Sequence, residues 1–510
     1  MHRAVAPALA AGVVLVAFAL AGWSHGRSVG FLTFLNDFWG NAFAAEHWQW
    51  SAGRLWNGFF PPGYPFLLTI LPGKRLIESA YGFNLLSGLG VLGAVGLFMA
   101  RSTSAWLGVA AAGLVALHPV VVTQVLTTGA DAPFIALTTV GTLGFFRALD
   151  RPARGVVPVL AAGAALGLAG WIRYHGFAWA AALVVGAALA GAHRTPRVVL
   201  LVLAPVAAAG LALVALGLAA GDIWAIQRDQ AFNTYVHLVQ APDWFHLPPR
   251  ASLPATVPEA IARDPQAFWQ NYLRFIAPHG WLLAAPLAAA LLGSGPARRF
   301  GVFVLGASLV FIPVVGLGAS PRGVACVVPP MLCAAVWMMS DATRRVPPAS
   351  RTAVAVLAMV LVTAFGWTYW RPAIRAYVDE ARVRAAISQD LEARLRADRV
   401  TIGMQVFSTT ELYFLRASGW QVANYHPRVV GGWPTFDLPG YNETYPPPSS
   451  ASLDAFIDDC HRFGITHLAL GAASTYVLPE LGEVFDGRRR SARLAELPGI
   501  AGVRLFRLIG

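Results

Sequence analysis

The chain has 510 residues, of which 56% are hydrophobic and only 13% are charged, and its mean hydropathy is +0.56. A soluble protein uses about a quarter of its residues as charged side chains, so this composition excludes a soluble enzyme and predicts a surface that largely faces lipid. Three cysteines, Cys326, Cys333 and Cys460, have spacings that exclude a disulfide framework or a zinc site. We expect the first two to pack inside a helix.

The net charge of +12 is carried mainly by arginines that stand in short gaps between apolar runs. Such a distribution is typical of the loops of a membrane protein. No basic and aromatic array of the kind that binds nucleic acid occurs, so we predict no nucleic-acid partner.

About eleven apolar segments are candidate transmembrane helices, because a bilayer core needs about 20 apolar residues per helix. An alternative for the first segment is a cleaved signal peptide, since small residues follow it. In chain order the candidate spans are 5–22, 80–100, 104–123, 131–148, 156–171, 176–192, 197–220, 280–294, 299–317, 322–340 and 351–370.

The arginines predict the orientation of these spans. With the N-terminus and Arg3 in the cytoplasm, the short loops on that side are consistently basic, as the positive-inside rule requires. The long loops 23–79 and 221–279, and everything after residue 371, then lie on the extracytoplasmic side. The basic residues of the cytoplasmic loops are Arg101, Arg147, Arg151, Arg154, Arg194, Arg197, Arg298, Arg299, Arg344, Arg345 and Arg351.

The composition changes after residue 371, which predicts a membrane domain over 1–371 and an extracytoplasmic α/β domain over 372–510. In the second domain we predict helices over 375–399, 411–419 and 452–464, and strands over 400–406, 421–425, 465–470 and 503–508. Within loop 221–279, segment 253–275 has the pattern of an amphipathic helix lying on the membrane. The predicted fold class is therefore mainly α, polytopic, with a small α/β domain.

Two acids are predicted at the extracytoplasmic face. Asp37 lies among aromatic residues beyond the first span, and Asp131 opens the span 131–148. Each has a plainer interpretation: Asp37 as a solvated acid in an interfacial aromatic belt, and Asp131 as a residue that favours the dipole of its helix. A pair of acids could instead supply a general base and an orienting group, or hold a divalent cation.

Cations stand in loops on the same face: Lys74 and Arg75, Arg173 with Tyr174 and His175, and Arg322. Arginine binds phosphate through two parallel hydrogen bonds and keeps its charge where the dielectric is low. The alternative is that these side chains extend to lipid headgroups. Acids and cations together predict an outward cavity for a substrate that is a lipid phosphate.

Four stretches, in order, resemble the GT-C glycosyltransferases, in particular the group of protein O-mannosyltransferases and the lipid A aminoarabinose transferase. LNDFWGNAFAAEHWQWSAGRLWNGFFPPGYPFLLTIL (35–71) is similar to the first extracytoplasmic loop of that family. LHPVVVTQVLTTGADAPFIAL (117–137) is similar to its third-to-fourth helix region. GWIRYHGF (170–177) matches the short turn with an arginine, and SPRGVACVVPPMLCAAVW (320–337) the late helix that an arginine opens.

The resemblance implies sugar transfer from a polyprenyl-phosphate donor to an acceptor hydroxyl of a lipid, glycan or protein, by one inverting displacement. Asp37 would be the base and Asp131 would orient the reacting groups. Lys74, Arg75, Arg173, His175 and Arg322 would hold the phosphate, and Trp39, Tyr64 and Tyr174 would line the pocket. The expected location is a bacterial inner membrane, with the site facing the periplasm or exterior.

One departure concerns the metal. Many relatives have Asp-Glu in the first loop, whereas this chain has Asn36-Asp37, and we expect Glu46 and His47 on a helix surface. No cofactor is required by the pattern, and a divalent cation on Asp37 and Asp131 stays open. The rival function is a transporter or a flippase of lipid-linked sugars, which would carry ionisable groups near the middle of the membrane. A third is an assembly protein with a degenerate site.

Overall fold

We describe the fold from a computed structural model of the chain. The structure describes residues 2–33, 38, 41–42, 45, 61–71, 76–151, 155–191, 195–219, 224–239, 254–318, 321–343, 368, 371–379, 381–383, 386, 401–404, 421–424, 452–462, 466–471, 478–500 and 503–510.

Apolar helices form most of the described chain. They are α1 (His2–Ser28), α2 (Gly63–Thr69), α3 (Leu76–Ser102), α4 (Ala105–Leu117), α5 (Pro119–Val125), α6 (Asp131–Asp150), α7 (Val156–Ile172), α8 (His175–Leu189), α9 (Pro196–Ala219), α10 (Ala225–Thr234), α11 (Val257–Arg263), α12 (Pro265–Ile276), α13 (Ala284–Leu292), α14 (Gly295–Leu317) and α15 (Val328–Thr343). A π-helix spans Tyr235–Val239, and 3-10 helices span Ala277–Leu283 and Pro321–Val327.

Ten of the predicted spans coincide with helical segments of the structure. Among the described residues, seven helices are long and apolar enough to cross a membrane, and α4 with α5 makes an eighth if the bent pair counts as one span. The apolar helices α7 and α8 are shorter. The eleventh predicted span, 351–370, falls almost wholly outside the described residues. The protein is a polytopic integral membrane protein, which confirms the predicted fold class.

The bend between α4 and α5 measures 67° and has a local cause. Pro119 is the first residue of α5, and His118 before it is extended, with φ −72° and ψ 123°. A proline disfavours helical geometry in the residue that precedes it, so the sequence His118-Pro119 ends α4 and redirects the chain. The loop 126–130 that follows leads directly into α6.

The ends of α6 define two ends of the helix bundle, which we call the Asp131 end and the Asp150 end. Five residues separate α6 from α7 and two separate α7 from α8, and these neighbours pack against one another as antiparallel helices. Near the Asp150 end, the rings of Phe98, Phe146, Phe300 and Trp337 pack in contact, with centroids 4.8 to 6.4 Å apart. The helices are therefore held by a continuous apolar core.

The segment predicted as one amphipathic helix, 253–275, is two helices. Thr256 caps α11 and Asp264 caps α12 by accepting backbone N–H groups, and Pro265 opens α12, so the chain bends between them. The phenol of Tyr272 donates to the carbonyl of Pro313, at 3.0 Å, and Phe268 is buried beside it. Helix α12 is therefore amphipathic as predicted, and its apolar face lies against the end of α14.

The C-terminal strands form one mixed sheet. They are β1 (Thr401–Met404), β2 (Gln421–Asn424), β3 (His467–Leu470), β4 (Leu494–Ile500) and β5 (Val503–Leu508), in the order β2-β1-β3-β5-β4. The pairs β2-β1 and β1-β3 are parallel, and β3-β5 and β5-β4 are antiparallel. Four of the five strands were predicted, whereas β4 was missed.

Helices α16 (Leu453–Arg462) and α17 (Pro479–Phe485) cover one face of this sheet, where Leu468 and Phe506 are buried with them. The alternate residues Ala469 and Leu505 join the larger core, which includes helical residues of 371–383. This is the period-two alternation of a sheet that is buried on both faces. Helix α16 was predicted and α17 was missed, and the helix predicted over 411–419 lies outside the described residues.

Candidate active site

An ion-pair cluster lies at the Asp131 end of the bundle and joins three separate elements. Asp131 is the first residue of α6, Arg173 stands in the turn between α7 and α8, and Arg322 stands in the 3-10 helix that precedes α15. All three residues therefore stand at or next to the end of a helix. The sequence-predicted acid and two of the predicted cations are thus brought together.

Each oxygen of the Asp131 carboxylate contacts one arginine. The Nη1 atom of Arg173 donates to Oδ1, and the Nη1 atom of Arg322 donates to Oδ2 at 3.4 Å. The side chain of Asp131 is only 1% exposed, whereas those of Arg173 and Arg322 are 13% and 26% exposed. A carboxylate so buried needs charged partners, and the two guanidinium groups supply them.

Tyr64 lies beside this cluster. Gly63 and Tyr64 open α2, and a Cβ added to Gly63 would lie 2.7 Å from the backbone oxygen of Trp171, so α2 packs directly on the end of α7. Burial raises the pKa of the Tyr64 phenol above its ordinary value, and the negative charge of Asp131 raises it further. The phenol oxygen is buried and has no hydrogen-bond partner in the described part of the chain.

His175 and Tyr174 complete the described part of the site. The ring of His175 lies against Gly323, the residue that follows Arg322. A Cβ added to Gly323 would lie 3.3 Å from Cδ2 of that ring. The backbone N–H of Gly176 donates to the carbonyl of Arg173 at 2.8 Å. This hydrogen bond holds the turn that carries Arg173 and Tyr174. The side chains of Tyr174 and His175 are half-buried there.

Four predicted site residues, Asp37, Trp39, Lys74 and Arg75, lie outside the described residues. Two observations concern described residues near Asp37 in the sequence. Phe38 is fully buried. The backbone N–H of Thr128 donates to the carbonyl of Thr33 at 2.6 Å, which ties the segment that follows α1 to the loop that precedes Asp131.

The described residues do not fit a divalent cation on Asp131. Both of its oxygens already contact guanidinium groups, whereas a hard cation needs carboxylate or carbonyl oxygens turned toward it. Within the described ranges, no three His, Cys, Asp or Glu side chains lie together in a way that could hold a metal ion. The assignment of Asp37 to a metal site stays a prediction.

Comparison with known proteins then gives the fold its class. No protein-family model matches the sequence, and no curated protein matches it by sequence. Among solved structures, ArnT from Cupriavidus metallidurans bound to undecaprenyl phosphate matches at 15% identity with a TM-score of 0.58, and 97% of each chain is covered.

Two further structures match. The oligosaccharyltransferase of Archaeoglobus fulgidus, at 14% identity and a TM-score of 0.55, covers 91% of this chain and 70% of its own. The mycobacterial arabinofuranosyltransferase AftD, at 17% identity and a TM-score of 0.50, covers 98% of this chain and 40% of its own. All three are GT-C glycosyltransferases, and this chain has the GT-C fold.

Proposed function

We propose that this protein is a membrane glycosyltransferase that moves a sugar from a polyprenyl-phosphate donor to an acceptor hydroxyl at the Asp131 end of the bundle. The shared fold supports the class of reaction. ArnT was solved with undecaprenyl phosphate bound, and the oligosaccharyltransferase with dolichol phosphate. For the acceptor we propose only that it offers a hydroxyl, which a lipid, a glycan or a protein can supply.

The observation that carries the proposal is the buried carboxylate of Asp131 between Arg173 and Arg322. Transfer releases a polyprenyl phosphate, whose developing negative charge needs fixed cations rather than a proton. Guanidinium groups match phosphate oxygens in geometry and remain charged in a dry site. Asp131 supports this role because it holds both arginines on one carboxylate.

Asp37 is the proposed general base. In one displacement, the acceptor oxygen forms a bond to the anomeric carbon as the bond from that carbon to the phosphate oxygen breaks. The hydroxyl proton passes to the carboxylate of Asp37, and the electron pair of the broken bond leaves with the phosphate. One displacement inverts the anomeric configuration.

The other predicted site residues have supporting roles in this proposal. Lys74, Arg75 and His175 add donors for the phosphate, and Trp39, Tyr64 and Tyr174 line the sugar or acceptor pocket. The hydroxyl of Tyr64 is the best supported of these, because a buried hydroxyl with no hydrogen-bond partner among the described residues is available to a bound ligand.

We also propose that the Asp131 end faces the periplasm or exterior of a bacterial inner membrane. Arg147, Arg151, Arg298 and Arg299 lie at the opposite, Asp150 end of α6 and its neighbours, as the positive-inside rule expects for a cytoplasmic side. The boundary at residue 371 then separates the membrane domain from an outward α/β domain.

A test uses the full chain in lipid nanodiscs with a panel of undecaprenyl-phosphate sugars and membrane extract as acceptor. We expect release of undecaprenyl phosphate and a product heavier than its acceptor by one sugar, with an inverted anomeric bond. Asp37→Asn should abolish both, whereas Glu78→Gln should not, since Glu78 is a carboxylate in the first turn of α3 outside the described ion-pair cluster.

Two results would contradict the proposal. Full transfer by the Asp37→Asn variant would remove Asp37 as the base. Movement of intact donor across a sealed bilayer, with no cleavage for any sugar in the panel, would favour the flippase.

A further inference from the structure

Asn84 is a fully buried amide in the apolar helix α3, and the mechanism above does not use it. We propose that Asn84 is a positioning residue: it holds loop 126–130 so that Asp131 stands between Arg173 and Arg322. The consequence for transfer rests on the proposed function, whereas the positioning itself does not.

Two hydrogen bonds carry the proposal. The Nδ2 atom of Asn84 donates to the carbonyl of Thr127 at 2.6 Å and to the carbonyl of Gly129 at 3.0 Å. Two carbonyl acceptors can be satisfied only by the NH₂ end of an amide, so the chemistry determines which way the Asn84 side chain points. A single side chain thereby fixes two backbone groups, and the second lies two residues before Asp131.

The backbone at the start of α6 has no capping side chain of its own. Its N-cap residue, Ala130, makes no side-chain capping hydrogen bond. Loop 126–130 is buried apart from its last residue, so replacing Asn84 would remove the side-chain donor that the carbonyls of Thr127 and Gly129 have among the described residues. The backbone that leads into Asp131 is therefore held by a donor supplied from another helix.

A further hydrogen bond holds the same loop. The N–H of Thr128 donates to the carbonyl of Thr33 at 2.6 Å, on the side of the loop that faces the segment following α1. Asn84 and Thr33 thus bond to three successive residues, 127 to 129. The loop is held between α3 and the segment that follows α1, and it leads directly into Asp131.

A merely structural role for Asn84 predicts something different. Loss of packing alone would reduce the amount of folded protein and leave the folded fraction with a normal site. A positioning role predicts that the folded fraction has a misplaced Asp131, so that the two arginines are no longer held for the phosphate. Because misplacement of about 1 Å can cost about 100-fold in rate, the site itself should change.

The matched control is a buried side-chain hydrogen bond on α6, the helix that Asp131 opens. The indole N–H of Trp179 donates to the hydroxyl of Thr142 at 2.8 Å. Thr142 lies about three turns of α6 from Asp131. Thr142→Val removes this buried hydrogen bond without touching loop 126–130.

The experiment combines Asn84→Ala with Asp131→Asn in a double-mutant cycle on the full chain in nanodiscs. We expect Asn84→Ala to raise the donor KM about 10-fold or more, and to add less than about twofold when Asp131 is already Asn. Thr142→Val should leave KM unchanged in both backgrounds. Asn84→Leu, which keeps about the same size but removes the NH₂ donors, should match Asn84→Ala.

A readout that needs no activity keeps the two proposals distinguishable. Amide hydrogen exchange over peptides 126–134 should speed up at least 10-fold in Asn84→Ala and stay unchanged in Thr142→Val. Unchanged exchange there, or independent effects of Asn84 and Asp131, would overturn the positioning role. Faster exchange with no transferase activity in the wild type would overturn the proposed function alone.

Discussion

Helix α6 begins and ends with an aspartate, and its two ends differ. Asp131 is 1% exposed and contacts Arg173 and Arg322, whereas Asp150 is 21% exposed and contacts Arg299 at 3.2 Å and Arg151 at 3.9 Å. Both acids have two arginine partners, so residue type alone does not distinguish them. Burial does, because the partners of Asp150 are themselves about half exposed.

The comparison has an energetic consequence. A half-exposed ion pair contributes about 0–1 kcal/mol, because water and salt screen it. A buried pair is costly to break, since the remaining charges lose their compensation in a dry site. A buried carboxylate with two arginines therefore has a strong structural constraint at one end only, and that is the end where the proposed chemistry occurs.

The largest expected effect comes from neutralising each aspartate in turn. Asp131→Asn should lower the free energy of unfolding by about 3–5 kcal/mol and lower transfer by at least about 100-fold. Asp150→Asn should cost no more than about 1 kcal/mol and leave transfer within about twofold. Denaturation of the full chain in detergent and the nanodisc assay measure both, and equal losses in the two variants would break the comparison.

A steric change at the Asp131 end should have the next largest effect. Gly63→Ala places a Cβ 2.7 Å from the backbone oxygen of Trp171, so α2 must shift away from α7 and carry Tyr64 with it. We expect a stability loss of about 1–3 kcal/mol and a clear fall in transfer. The control is Gly90→Ala in α3, where nothing lies within 4 Å and alanine should stabilise the helix by about 0.5–1 kcal/mol.

Two buried tyrosines sharpen the comparison between ligand-binding and structural groups. Tyr64→Phe removes a hydroxyl without a described partner, so stability should stay the same or rise while the KM for donor or acceptor rises several-fold. Tyr81→Phe removes a hydroxyl that donates to the carbonyl of Gly22 at 2.7 Å. That variant should lose about 1 kcal/mol of stability with KM unchanged, and the reverse pattern would remove Tyr64 from the pocket.

The smallest expected effect extends the comparison to an exposed pair in the C-terminal sheet. Hydrogen bonds from Arg504 lower the pKa of Glu496, so the pair stabilises the fold above the unfolded pKa of Glu496 and loses that contribution as the pH falls through the folded pKa. Glu496→Gln should therefore cost no more than about 1 kcal/mol at neutral pH, and less in acid. Thermal unfolding at several pH values measures this, and transfer should not change.

Much of the architecture could be predicted from the sequence. Long apolar runs bounded by arginines predicted ten of the helical segments, and the alternation of helices with strands after residue 371 predicted the α/β domain. Strand β4 was missed because LAELPGI contains a proline and a glycine and lacks the alternation of a half-buried strand. Helix α17 is only seven residues long, too short for a helical period to be read.

The site was only partly predictable. Asp131, Arg173 and Arg322 could be chosen because the predicted topology put all three at the ends of apolar spans on the side opposite the basic cytoplasmic loops. That the two arginines meet on one carboxylate depends on how α6, α8 and α15 pack, which the sequence pattern does not contain. Asn84 was missed, although an amide inside an apolar helix was a signal, because its partners are backbone carbonyls of a distant loop.

Binding of undecaprenyl phosphate to the full chain in nanodiscs tests the central claim most directly. Arg322 and Arg299 are both aspartate partners, at opposite ends of α6. We predict saturable binding that Arg322→Ala weakens at least about 10-fold, as expected for loss of a charge-assisted phosphate contact, and that Arg299→Ala leaves unchanged. Equal affinity of the wild type and both variants would contradict the assignment of the phosphate site to the Asp131 end.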